Sequence, residues 1–173
     1  MTASDREDFP TVGLSHVDAA GEARMVDVSG KKTTLRRAIA VGCVRMRRET
    51  RDLIVGGAHP KGSVLGVARI AGVQAAKQTG SLIPLCHPLP LDHVRIDFSW
   101  RDADGSEEAV LEIEAETVVD GKTGVEMEAL TAVSVTALTV YDMVKAVDRG
   151  IVLESIQLIE KEGGKSGRWR RRE

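Results

Sequence analysis

The chain has 173 residues, of which 42% are hydrophobic and 29% charged, with a formal net charge of −2 at neutral pH. This is the composition of one soluble globular domain, and the slightly acidic balance argues against a general nucleic-acid binder. Aromatic residues make up only 3%, so the core has to be assembled from aliphatic and small side chains.

Two cysteines, Cys43 and Cys86, are too few for a disulfide scaffold or a four-thiolate metal site and fit a reducing, cytoplasmic setting. The polar, acid-containing start MTASDREDFP does not read as a secretory signal peptide. The uncharged run between Glu128 and Asp142 spans 13 residues, short of the roughly 20 needed to cross a bilayer. No membrane partner is expected.

Residues 1–13 carry no hydrophobic period and are expected to form a flexible N-terminal tail, with a single domain over 14–162. Weak strand character appears around Met25–Val28, and a compact apolar run over Ala38–Met46 predicts a strand. RETRDLIVG suggests a short helix closed by Gly56–Gly57. After the punctuation of Pro60–Lys61–Gly62–Ser63, VLGVARIAGVQAAKQTG reads as a helix with Arg69 and Lys77 as its only charges. Its Ala and Gly positions permit close packing, and Thr79–Gly80 is a plausible stop.

SLIPLCHPLPLD holds Pro84, Pro88 and Pro90. It is neither a regular helix nor a central strand, because proline lacks the amide donor; it reads as a rigid, shaped loop. Two alternating runs follow. Val94, Ile96, Phe98 and Trp100 face one way in the first, and Ala109, Leu111, Ile113 and Ala115 in the second, with DADGS as the turn of an antiparallel hairpin. The stretch from Gly121 to Gly150 reads as one long helix buried on most of its circumference. IVLESIQLIEK gives a last strand of mixed pattern, and residues 163–173 are expected to be a flexible Gly/Lys/Arg-rich C-terminal tail.

The order strand, helix, strand, strand, helix, strand predicts an α+β, ferredoxin-like split βαβ fold, an antiparallel sheet with two helices on one face. The uncovered sheet face, together with helices apolar beyond one stripe, predicts a homo-oligomer.

Several residues carry possible chemistry. Lys61, beside Gly62 at a helix start, suits an anionic ligand approached together with free backbone amides, against the plainer reading of a solvated loop lysine. His87, held between prolines in PLCHP, suits an acid/base or hydrogen-bonding role as well as a buried histidine satisfied by backbone. A zinc site from Cys86, His87 and His93 or His59 matches no ligand spacing. Asp142 and Lys145, three apart on a largely uncharged helix, form either a surface ion pair or a partly buried pair with perturbed protonation. Glu126 and Glu128 complement the helix dipole at its start, and carboxylates there also suit the amino group and ring N–H of a guanine-like ligand. GGKSG fails the P-loop pattern, since residue 159 is Ile. Lys165 within it remains a candidate phosphate ligand on a glycine-rich arm. A rise of 1.5 Å per residue separates Glu128 from Asp142 by roughly 21 Å, so one small-molecule site cannot hold both within one chain.

HVDAAGEARMVDVSGK, HPKGSVLGVARIAGVQAAKQT, LIPLCHPLPL and GKTGVEMEALTAVSVTALTVYDMVKAV with GGKSG together resemble the molybdenum cofactor biosynthesis protein C family, the cyclic pyranopterin monophosphate synthases. The resemblance covers nearly all of residues 14–167, with PLCHP, GVEMEAL and YDM-x-KA as its most specific segments. It implies a lyase that rearranges 3′,8-cyclo-7,8-dihydroguanosine 5′-triphosphate to cyclic pyranopterin monophosphate with loss of diphosphate. It also implies a ferredoxin-like fold and a hexamer, a trimer of dimers with sites at subunit interfaces. On matching positions it makes Asp142 the catalytic aspartate and Lys61 and Lys145 acid/base lysines. Leu85, Cys86, His87, Met127 and Glu128 line the substrate pocket, with Glu126 nearby. Lys77 and Lys165 are further cations for the triphosphate. No metal or redox cofactor and no nucleic-acid partner are expected. The rival readings are an RNA-binding module using Arg168–Arg172, which requires stacking aromatics on the sheet, and a small-molecule sensor that binds without turnover.

Overall fold

The structure is a computed structural model in which residues 21–57, 62–102 and 107–172 are described. The tail expected over residues 1–13 and the tip of the DADGS turn lie outside them. Strands β1 (Thr34–Arg47) and β3 (Glu108–Gly121) pair antiparallel along their whole length, with Thr34 opposite Gly121 and Arg47 opposite Glu108. Their period-2 pattern buries Ala38, Ala40, Val44 and Met46 from one strand and Leu111, Ile113, Ala115 and Val119 from the other. Strand β2 (His93–Asp102) lies on the outer edge of β3, and β4 (Val152–Glu162) on the other edge of β1. A two-residue β5 (Trp169–Arg170) adds to β4. The order is β2-β3-β1-β4-β5. Each helical connection therefore passes over one intervening strand, which is the α+β split βαβ arrangement implied by the element order.

Helices α1 (Arg48–Val55), α2 (Val64–Leu82) and α3 (Glu126–Val144) complete the chain. The Ser63 hydroxyl caps α2 by accepting from the Gly66 amide at 3.1 Å. The helix runs past Thr79–Gly80 and stops before Pro84, where a helical residue 83 would clash with the ring. Gly80 serves contact instead: a Cβ there would lie 2.8 Å from the Pro88 Cα, so the proline-rich loop rests directly on α2. At Gly72 a Cβ would strike Thr136 Oγ1 and Ile96 Cδ1, so α2, α3 and β2 meet at that point.

α3 buries Ala129, Ala132, Val133, Thr136, Ala137 and Val140 between α2 and the sheet. Among the described residues it is the one helix long and apolar enough to cross a membrane, and half of its apolar window is buried inside the fold. It is shorter at both ends than the pattern suggests. Residues 122–125 form a glycine-containing bend before it. After it, the buried Asp148 carboxylate accepts from the Arg47 amide at 3.0 Å, Thr50 Oγ1 at 3.1 Å and the Gly150 amide at 3.0 Å. Those bonds turn the chain toward β4.

Two further differences stand out. Met25–Val28 forms no strand, and Met25 is 47% exposed. The register of β4 on β1 shifts between Ile39 and Ala40 and again between Val41 and Cys43, with Ser155 at φ 56°. Beyond β4 the chain returns alongside it as β5, where Glu160 accepts from Arg168.

The sheet face away from the helices carries an ion-pair lattice: Arg37 with Glu116 and Glu160, Arg95 with Glu116 and Asp97, Arg45 with Glu154. Phe98 and Trp100 are half-buried on the helix side, with the Arg69 and Arg51 guanidinium groups 5.1 and 5.8 Å from their ring centres. Among the described residues the bare face thus offers no aromatic platform for bases, and the RNA-binding reading loses its requirement.

Candidate active site

The start of α3 is where charge and space converge. Glu126 and Glu128 lie in its first turn, where carboxylates complement the partial positive charge of the helix end. The Glu126 side chain folds back over Gly124, where any Cβ would overlap its carboxylate. It accepts a hydrogen bond from Lys161 Nζ at 2.8 Å. Lys161 reaches it from β4, on the helix side of the sheet opposite Ala38.

Beside this pair opens a cavity of about 660 Å³ between the turn at 121–124, the start of β1 and the turn after β4. Seven basic side chains line it against two acidic ones. Arg36 holds the floor by donating to Gly121 O at 3.4 Å and Lys122 O at 3.5 Å. Lys31, Lys32, Arg37, Lys122 and Lys165 supply the remaining positive charge. Such an excess in a concave site raises the local concentration of anions. A second cavity of about 440 Å³, on the bare sheet face, is lined by Asp97, Glu112 and Glu114 with Arg101 as its one cation. It is unsuited to a polyanion and holds none of the expected site residues.

Glu128 is 3% exposed, and burial, assisted by the Glu126 charge, pushes its carboxyl up to about 7. Cys86 lies close enough that its thiol, raised first by burial, is raised further by the Glu128 charge. The half-buried Cys86, flanked by the half-buried Leu85 and His87, thus approaches the start of α3 from the loop that packs on Gly80. Met127, between the two glutamates, is 37% exposed.

Asp142 and Lys145 stand at the other end of α3 and are joined at 2.6 Å. They are exposed rather than partly buried, and the bond to Asp142 raises the Lys145 pKa. Among the described candidates the fold brings Cys86 near Glu128, sets Glu126, Met127 and Glu128 in one helical turn, and leaves Asp142 and Lys145 at the far end of the same helix. Lys61 lies outside the described residues. Lys77 is exposed on α2 and does not line the cavity, whereas Lys165 does.

The sequence reading missed Lys161, Arg36, Lys31, Lys32 and Lys122. The two register shifts in β4 broke the alternation that would have placed Lys161 on the helix side. The basic cluster KK at 31–32 and the GKTG turn were visible signals, but only the fold brings them to one opening.

A split βαβ protein whose core helix opens onto a cavity lined by seven basic and two acidic side chains is electrostatically suited to an anionic ligand. The family is narrower. The profile of the MoaC family matches residues 25–164, and the chain belongs to that family. It is 60% identical over 157 residues to a cyclic pyranopterin monophosphate synthase of Novosphingobium aromaticivorans, covering 91% of this chain and 96% of that protein. A protein of the same name from Thermomicrobium roseum is 58% identical over 158 residues, covering 91% and 93%. Another, from Chloroflexus aggregans, is 57% identical over 160 residues, covering 92% and 94%.

Proposed function

We propose that this chain is a cyclic pyranopterin monophosphate synthase, a cytoplasmic lyase of molybdenum cofactor biosynthesis. Its substrate is 3′,8-cyclo-7,8-dihydroguanosine 5′-triphosphate, and it releases diphosphate as it forms the cyclic monophosphate. Alongside family membership, the observation that carries this reading is the cavity with seven basic and two acidic side chains next to Glu126 and Glu128. It can neutralise a triphosphate while carboxylates meet the guanine-derived end.

Opening a purine ring, closing a pterin and forming a cyclic phosphate require several proton transfers, which lysine, aspartate and carboxyl groups can perform. Glu128, poised near neutrality by burial, is suited to hold or release a proton at working pH. Asp142 and Lys145 act from the far end of α3 of a neighbouring copy, in a hexamer built as a trimer of dimers, and Lys61 is a further acid/base lysine. Supporting this is the separation along one 19-residue helix, too long for a single-chain site. The remaining pocket residues are Leu85, Cys86, His87 and Met127, and the reaction uses no metal or redox cofactor.

The test is turnover. Purified protein given the cyclised triphosphate forms pterin product and diphosphate in equal amounts, and Asp142→Asn lowers kcat by about 10²–10⁴-fold without changing the melting temperature. A wild-type protein that binds the compound but never converts it would establish the sensor reading instead. Full turnover by Asp142→Asn would remove that residue from the mechanism.

A further inference from the structure

We propose that Glu160 is a positioning residue that latches the C-terminal arm and thereby holds the Gly163–Gly167 turn, with Lys165, against the basic cavity. Glu160 is 6% exposed, in β4 next to Lys161 but directed to the opposite face. Its Oε1 accepts from Arg37 Nη1 at 3.1 Å and from Arg168 Nε at 3.1 Å. Its Oε2 accepts from Arg168 Nη2 at 3.0 Å. The two-pronged grip on Arg168 is the strong geometry for a guanidinium and carboxylate.

Residues 161–167 are the chain between the two halves of that grip, and both lysines that frame it line the cavity. Gly163, Gly164 and Gly167 all adopt positive φ, at 104°, 71° and 64°. A turn built this way has a large entropy to lose on being fixed. Within it the backbone is held by the long Gly167 N to Gly164 O bond at 3.3 Å and by the Arg36 guanidinium lying on Gly164. The remaining restraint is downstream: Trp169 pairs with Lys161, and the Arg171 amide donates to Ile159 O at 2.8 Å. Glu160 anchors the charged end of this return, so its effect reaches the cavity through Lys165.

The inference rests on the cavity being the polyphosphate end of the proposed substrate's site. Glu160→Gln and Arg168→Gln are compared singly and together. Arg168→Gln leaves the Glu160–Arg37 bond in place, which keeps the test sound should Glu160→Gln disturb the sheet. Three readouts are taken: amide exchange over residues 163–167, calorimetric affinity for inorganic triphosphate, and the kcat and KM of turnover. Each single variant is expected to speed exchange in the turn and weaken triphosphate about tenfold. KM rises alike, while kcat stays within about threefold. The double variant is expected to be no worse than either single one, as for two halves of one contact.

Faster exchange with unchanged triphosphate affinity would overturn the latch, as would additive effects or a fall in kcat and melting temperature at constant KM. Failure of the wild type to bind triphosphate would overturn it too. If the wild type binds triphosphate and the variants lose it, yet no pterin forms, the latch stands and the synthase reading falls.

Discussion

At the level of single residues, opposite environments drive the carboxylates of this fold in opposite directions. Glu128 is forced up to about 7 by burial, from an ordinary 4.5. Asp148 is equally shielded from solvent, yet the bonds from the Arg47 amide, Thr50 and Gly150 outweigh its burial and hold it below the usual range. The signs of their pH effects follow. The Glu128 contribution is fully present below pH 4.5, where both folded and unfolded chains are protonated. It is lost as pH rises through 7, because only the unfolded chain ionises freely. Asp148 does the reverse, losing its contribution as pH falls through its lowered value. The melting temperature of Glu128→Gln relative to wild type is therefore expected to climb between pH 4.5 and 7 and level off above. A difference independent of pH would mean that the carboxyl is solvated. The acidic pair at the helix start was legible in GVEMEAL, because glutamates there have an electrostatic reason to be present. Its partner Lys161 was not, since the bulges of β4 hide the face on which a residue falls.

The elements were readable wherever one period ran uninterrupted. The β2–β3 hairpin and α2 follow their apolar spacing to within a few residues of the pattern. The ends of α3 did not, because they are set by contacts distant in sequence, chiefly Asp148 with Arg47 and Thr50. Close contact between α2 and α3 was foreseen from the density of Ala and Gly, and Gly72 is its tightest test. Replacing it with alanine would push the new methyl into Thr136 and Ile96, with the Ala132 carbonyl 3.1 Å away. Overpacking of this kind costs about 1–3 kcal/mol, measurable as a lower midpoint in urea. An unchanged midpoint would mean that the helices separate freely at that crossing.

For the molecule as a whole, the two charged ends of α3 give the assembly its test. Chains carrying Glu128→Ala and chains carrying Asp142→Asn are mixed after unfolding and refolded together. If each site draws Glu128 from one copy and Asp142 from another, random pairing restores about a quarter of the sites. A site confined to one chain would recover none. The sheet order has a different consequence, for how the chain comes off the ribosome. Among the described strands β1 is the first made, yet it lies in the middle of the sheet, with Arg37 paired to Val118 on one side and Glu162 on the other. Neither neighbour exists until most of the polypeptide has been synthesised, and the contacts that close the core are long-range ones. Folding of such a topology is slow, and an unpaired apolar strand invites aggregation while it waits. Nascent chains stalled before residue 152 would therefore keep β1 with one open edge, and resistance to protease is expected to appear only once β4 has emerged.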